Sequence, residues 1–264
     1  MATALITGGT SGIGAAFARR LAAEGFDLVL VARNEDRLDS MARELHAESG
    51  IEVETLRADL ADRSDVARVA ARIEDGARPI DMLINNAGAG VRTPLASSDV
   101  VAHEHAFTVM CWAVLVLGGA AARAMSGRGG TIINLSSLQT YLATGAYAAN
   151  KAWVTAYSQS LAVELRGTGI SATAVLPGWV RTEWHARAGV ERSSLPDFLW
   201  IDPDVVARVA LRDARRGKVI SIPSVRYRVI GWIVRHLPHR AVLGMSARIS
   251  SGRNESLVMK TENP

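Results

Sequence analysis

The chain has 264 residues, 48% of them apolar and 21% charged, which excludes a largely disordered polypeptide and suffices for a sizeable core. A single cysteine, Cys111, excludes an intramolecular disulfide framework and a cysteine-rich metal module, so no metal site is expected. The net charge of +4 is unevenly spread: residues 215–260 carry ten Arg or Lys and one acid, Glu255, so that segment nets +9 and the rest −5. The cations are 27 Arg and only three Lys, namely Lys151, Lys218 and Lys260.

In chain order, the first apolar run, Ala2–Thr7, predicts a strand and leads into a glycine-rich turn and a helix over Gly12–Glu24. The alternation continues with strand Asp27–Ala32, helix Asn34–Glu48, strand Glu52–Ala58, helix Asp62–Gly76 and strand Met82–Asn85. A long helix near Ser98–Met125, strand Thr131–Leu135, helix Ala146–Arg166 and strand Ile170–Leu176 complete the repeat. Strands alternating with helices of this length predict βαβ units, hence a parallel α/β sheet covered on both faces. Beyond Leu176 the pattern loosens, with a loop-like stretch over 183–202, a short helix Asp204–Ala214 and a last strand near Val219–Pro223. No repeat or linker interrupts the chain, so residues 1–264 read as one domain. The opening residues lack the basic and long apolar regions of a signal peptide, and the expected location is cytoplasmic. The uncharged stretch Ala106–Ala122 falls short of the roughly 20 residues of a membrane span and reads as a buried helix.

Five short motifs follow strands, with the Ser136-Ser137 pair counted with the Tyr-x-x-x-Lys that it precedes. The first turn is Thr7-Gly8-Gly9-Thr10-Ser11-Gly12-Ile13-Gly14, where glycines let the backbone approach a pyrophosphate and a helix start favours negative charge. Asp59-Leu60 ends the third strand, Asn85-Asn86-Ala87-Gly88 the fourth, and Ser136-Ser137 the fifth. Tyr147-Ala148-Ala149-Asn150-Lys151 opens the next helix, and Pro177-Gly178-Trp179-Val180-Arg181-Thr182 follows the sixth strand. Together these resemble the short-chain dehydrogenase/reductase family over about residues 3 to 182. The resemblance implies a Rossmann-type, doubly wound sheet of about seven strands and a nicotinamide cofactor. It further implies that Gly8, Thr10, Ser11, Gly12, Ile13 and Gly14 cradle the pyrophosphate, while Asp59 and Leu60 hold the adenine. Asn86, Ala87 and Gly88 would brace the sheet beside the cofactor, and Pro177, Gly178, Val180 and Thr182 would meet the carboxamide.

The second strand ends Val31-Ala32-Arg33-Asn34, with Arg37 one turn into the helix, and no acid stands there to read a ribose. Guanidinium groups suit a 2′-phosphate, so NADP(H) is expected over NAD(H), although both arginines could simply be solvated. A Tyr and a Lys four residues apart share one helix face, and the ammonium is expected to lower the phenol's pKa. In the resembled family Tyr147 exchanges the proton with the substrate oxygen, Lys151 supports it and holds the nicotinamide ribose, and a serine bonds the same oxygen. Ser137 is favoured over Ser136 for that role. It lies ten residues before Tyr147, a shorter interval than the family commonly has. A second departure is Met110, in Val109-Met110-Cys111-Trp112-Ala113, where the family often carries a relay asparagine. His103 and His105 on the same helix read as surface residues.

A substrate lid is expected over 183–223, with Trp184, His185, Phe198, Leu199 and Trp200, joined by Trp179, Tyr141 and Leu142. This lining suggests a small apolar ketone or aldehyde, or the matching alcohol. Residues 224–264 form a basic extension with two amphipathic helical patterns separated by Pro238. Through 224–253 it could touch a membrane surface peripherally, or it could pack on the lid or a neighbouring subunit. No nucleic-acid motif is visible. The apolar run Phe107–Ala122 suggests a homo-dimer or homo-tetramer. Besides a carbonyl reductase, a cofactor-binding sensor or scaffold and a membrane-associated lipid reductase remain open.

Overall fold

The computed structural model describes residues 1–91, 93–182 and 196–261. Seven parallel strands form one sheet in the order β3-β2-β1-β4-β5-β6-β7: β1 (Thr3–Thr7), β2 (Asp27–Ala32), β3 (Val53–Arg57), β4 (Met82–Asn85), β5 (Gly130–Leu135), β6 (Ile170–Val175) and β7 (Ile220–Ser221). Strand runs such as Leu28-Val29-Leu30-Val31 are buried throughout, because both sheet faces are covered by helices.

The crossover helices are α1 (Gly12–Ala23), α2 (Glu35–Ser49), α3 (Arg63–Ile73), α4 (Val101–Ala124) and α5 (Ala146–Glu164), followed by α6 (Pro203–Arg215). Side-chain caps set several starts: Asn34 accepts from the Arg37 amide, Asp62 from Ser64 and Asp65, and Asp202 from Asp204. Two apolar clusters lie on opposite sheet faces, one centred on Phe17, Leu21 and Leu211, the other on Val69, Leu117 and Ile132. Helix α4 is long and apolar enough to cross a membrane, yet Val109, Ala113, Leu117, Ala120 and Ala121 are buried in the second cluster. It serves as a core helix, as expected for the uncharged stretch. Its middle, Thr108–Trp112, is a π-helical segment, a feature frequent at functional sites.

The short β7 is anchored by Asp213, which is buried and accepts from Lys218 Nζ and Ser221 Oγ, both at 2.9 Å. Beyond it, α7 (Val225–His236) and α8 (His239–Thr261) break around Pro238. The second of these is 23 residues long. The order reverses between β1 and β4, and the crevice beyond the carboxyl ends of those strands is where such sheets bind ligands. All five motifs converge on that edge.

Candidate active site

Thr7, at the end of β1, is a hub the sequence did not single out. Its buried hydroxyl accepts from the Asn86 and Ala87 amides at 3.0 and 3.1 Å, while Asn86 Nδ2 donates to the Thr7 and Gly8 carbonyls. The β1 and β4 ends are therefore tied together beneath the glycine turn. Gly8 and Gly12 have φ of 65° and 55°, values that side-chain-bearing residues rarely adopt. A Cβ on Gly14 would lie 2.1 Å from the Gly8 carbonyl oxygen, so α1 can start this close to the turn only with glycine. Thr10, Ser11 and Ile13 are half-buried around it. Thr182, from the far segment, stands 3.0 Å from where a Gly12 Cβ would be. A cradle of backbone with no side chains in it fits a pyrophosphate.

At the end of β2, Arg33 is exposed, and its Nη1 lies 4.0 Å from Asp59 Oδ2. Asp59 is half-exposed, with its Oδ1 accepting from the Ala61 amide, and Leu60 is buried. Arg37 is exposed in the first turn of α2. Val180 is buried in the core and Pro177 O accepts from the Leu138 amide, so this segment offers its backbone to the crevice while holding the serine loop.

Ser136 and Ser137 separate cleanly. Ser136 Oγ is 2.7 Å from both the Lys151 carbonyl and Thr155 Oγ1, a buried clasp between β5 and α5. Ser137 bonds the Tyr147 side chain, and its Oγ accepts from the Gln139 amide at 3.2 Å. Lys151 is 4% exposed, its Nζ donating to the Leu135 carbonyl at 2.6 Å and lying 5.7 Å from the Tyr147 ring centre. Among the described residues this is the only hydrogen-bond acceptor for its three donors, which leaves capacity for ribose hydroxyls. Burial holds the Lys151 pKa down at about 8. Burial also pushes the Tyr147 phenol up to about 12, with the Ser137 hydrogen bond acting the other way. Desolvation of the buried phenol is the larger of these two influences.

Met110 is fully buried with Ala106 and Cys111, and Tyr147 and Trp153 pack against this cluster. The relay position is filled by a thioether in an apolar environment, and burial lifts the Cys111 thiol to about 11. His103 is turned to the Pro94 carbonyl at 3.1 Å, and His105 is exposed. A buried polar chain that the sequence reading missed, Asn85 to Asn134 to Ser158, links β4, β5 and α5 under the site. Asparagines within apolar strands were its only sequence signal.

Of the expected lid, Trp184 and His185 lie outside the described residues. Trp200 is buried edge-on against Trp179 with ring centres 5.9 Å apart, Leu199 is half-buried, and Phe198 is exposed. Tyr141 and Leu142 are half-buried.

The basic helices are part of the site's frame. A Cβ on Gly178 would fall 2.1 Å from Tyr227 Cζ, so the Tyr227 ring of α7 packs flat on the Pro-Gly backbone. The Tyr227 hydroxyl donates to the Leu199 carbonyl at 2.7 Å and accepts from the Trp179 amide at 3.2 Å. From α8, Ser246 Oγ accepts from the Ala143 amide at 3.0 Å, and α7 at Gly231 packs on Leu138 and Tyr141. The short loop between Ser137 and Tyr147 is therefore braced from outside by the C-terminal helices.

The short chain dehydrogenase family model matches residues 2–192. The chain belongs to the short-chain dehydrogenase/reductase family. It is accordingly an oxidoreductase of the kind that interconverts alcohols and carbonyls. A short-chain dehydrogenase from Sphingobium yanoikuyae, solved in complex with NADPH, superposes with a TM-score of 0.80 at 36% identity, covering 90% of this chain and 97% of that one. The bulky-bulky ketone specific alcohol dehydrogenase from Comamonas testosteroni gives a TM-score of 0.76 at 30% identity, covering 90% and 96%. The gluconate 5-dehydrogenase of Gluconobacter oxydans is 36% identical over 195 residues, 70% of this chain and 74% of the relative.

Proposed function

We propose that this protein is an NADP(H)-dependent carbonyl reductase for apolar ketones or aldehydes, with residues 1–264 working as one catalytic unit. The observation that carries the reading is the joint placement of Ser137, Tyr147 and Lys151 beside the glycine cradle, with Arg33 at the β2 end. NADPH, when bound, supplies a hydride to the carbonyl carbon. Tyr147 gives its proton to the carbonyl oxygen, Ser137 donates a hydrogen bond to the same atom, and the Lys151 ammonium stabilises the phenolate left behind. With Tyr147 near 12 and Lys151 near 8, both are protonated at neutral pH, the state that reduction requires. Tyr141, Leu142, Trp179 and Leu199 give the substrate side an apolar character. The bulky-ketone preference of the Comamonas relative supports the same class.

The exposed side chains of Phe107 and Leu115 on α4 and Val163 on α5, near the stacked Trp153 and Tyr157, support a homo-oligomer formed through these two helices.

The test is NADPH oxidation with a panel of apolar ketones and aldehydes. Tyr147→Phe is expected to lower kcat by about 10²- to 10⁴-fold without weakening NADPH binding. Equal turnover by wild type and variant would remove Tyr147 from the mechanism. NADPH binding with no turnover of any carbonyl would favour a sensor, a reading that buried Met110 beside Tyr147 also supports.

Arg33→Asp tests the cofactor preference. Losing charge-assisted bonds to a 2′-phosphate costs about 1.5–3 kcal/mol, so Kd for NADPH should rise about 10- to 100-fold while NADH is little affected. Equal weakening of both, measured by fluorescence titration, would count against the phosphate contact.

A further inference from the structure

The Tyr227 face of α7 is inward, and the opposite face has no covering element among the described residues. Val225 is 65% exposed, Val229 53%, Trp232 64% and Ile233 45%. At 100° per residue, Val225, Val229, Trp232 and His236 form one outward stripe, with Ile233 at its edge. Arg228 and Arg235 flank the stripe on one side and Arg226 on the other, all exposed. Leu237 at the end of α7 and Leu243 and Ile249 in α8 are also exposed, as are Arg240 and Arg248. From Val219 to Asn254 the sequence contains no Asp or Glu. Apolar residues with a tryptophan along the centre and long cations along both edges match a helix lying in a bilayer interface. There the arginines can extend to anionic headgroups.

We propose that α7, with the first turns of α8, docks this protein on anionic phospholipid bilayers. Charge complementarity argues for this occupant, because a second copy of the chain would bring like charges, its own Arg226, Arg228 and Arg235, to the interface. The same helix packs through Tyr227 and Gly231 on the Pro-Gly segment and on Leu138 and Tyr141. Docking therefore brings the bilayer to within one helix diameter, about 10 Å, of the site's wall, and an apolar carbonyl dissolved in the bilayer would have a short path to the site. That last step rests on the carbonyl-reductase reading, whereas the docking itself does not.

The experiment is flotation of the full chain with phosphatidylcholine vesicles and with vesicles of phosphatidylcholine and phosphatidylglycerol in equal parts, without cofactor or substrate. Binding is expected to the anionic vesicles only and to weaken as salt is raised. Val229→Ser with Trp232→Ser should abolish flotation with Tm and NADPH affinity kept. Arg228→Gln and Arg235→Gln should each weaken binding about fivefold. Absence of flotation, or flotation indifferent to all four substitutions, overturns the proposal. So does a wild-type oligomer that the serine variant splits, because the face would then belong to a second copy. A failed carbonyl assay in soluble substrate would count only against the reductase reading.

Discussion

Lys151→Met is expected to slow turnover sharply and at the same time to make the protein more heat-stable. Lys151 is 4% exposed, and burial holds its pKa at about 8 against the ordinary 10.5. That gap corresponds to about 3 kcal/mol of folding free energy forgone at neutral pH. Methionine of similar length removes the buried charge but leaves the Leu135 carbonyl unpaired, at about 1–2 kcal/mol. The net gain of about 1–2 kcal/mol should raise Tm by a few degrees. The pH dependence has a definite sign. Between pH 8 and 10 the unfolded chain keeps a proton that folded Lys151 releases, so wild-type stability rises with pH and the variant lacks that rise. Above pH 10 the raised Tyr147 pKa acts the other way, because unfolding then frees a phenol that ionises more readily. Activity should fall about a hundredfold or more, the phenolate having lost its cation. Thermal melts from pH 7 to 9.5 on both proteins decide the matter, and a variant that melts below wild type at pH 7 would refute the strained-lysine account.

Tyr227→Ala should damage both stability and cofactor handling, although Tyr227 lies outside every motif that marks the family. The ring is 5% exposed on the Gly178 backbone, and truncation of a buried aromatic costs about 3–5 kcal/mol. Melting temperature should drop by about 10 °C. Tyr227→Phe keeps the ring but strips the Trp179 amide of its acceptor and the Leu199 carbonyl of its donor, at about 1–3 kcal/mol. Loosening the Pro177–Thr182 segment should raise KM for NADPH while leaving kcat within a few-fold. A Tyr227→Ala protein with wild-type Tm would mean that α7 is not docked on the site in solution. The same packing makes deletion of residues 224–264 a poor probe of membrane contact, since the deletion would also unbrace the loop between Ser137 and Tyr147.

Most of the sheet was legible because buried parallel strands are written as unbroken apolar runs, and the predicted strands differ from the observed ones only at their ends. The glycine turn, Asn86, Tyr147 and Lys151 were legible for a related reason. Each needs a particular residue type at a set distance from a strand end, so chemistry and spacing appear together in the chain. Lys151 was clearest, being the only lysine in the first 217 residues of an arginine-rich sequence.

Other features depend on contacts between residues far apart in the chain. Ser136 and Ser137 are alike in sequence, and only the packing of α5 under β5 turns one into a clasp and the other toward Tyr147. Burial pushes the Tyr147 pKa up, and burial is a property of the assembled site and not of the Tyr-x-x-x-Lys spacing. Amphipathic spacing identified the basic helices but could not orient them. The sequence by itself determined the sheet, the glycine turn after β1 and the placing of Tyr147 and Lys151 on one helix face. Tertiary structure decided which serine bonds Tyr147, how strongly the pair is desolvated, and that the basic C-terminal helices pack on the Pro-Gly segment and on the loop before Tyr147. Those outcomes depend on which distant surfaces exclude water together, and spacing along a chain does not record that.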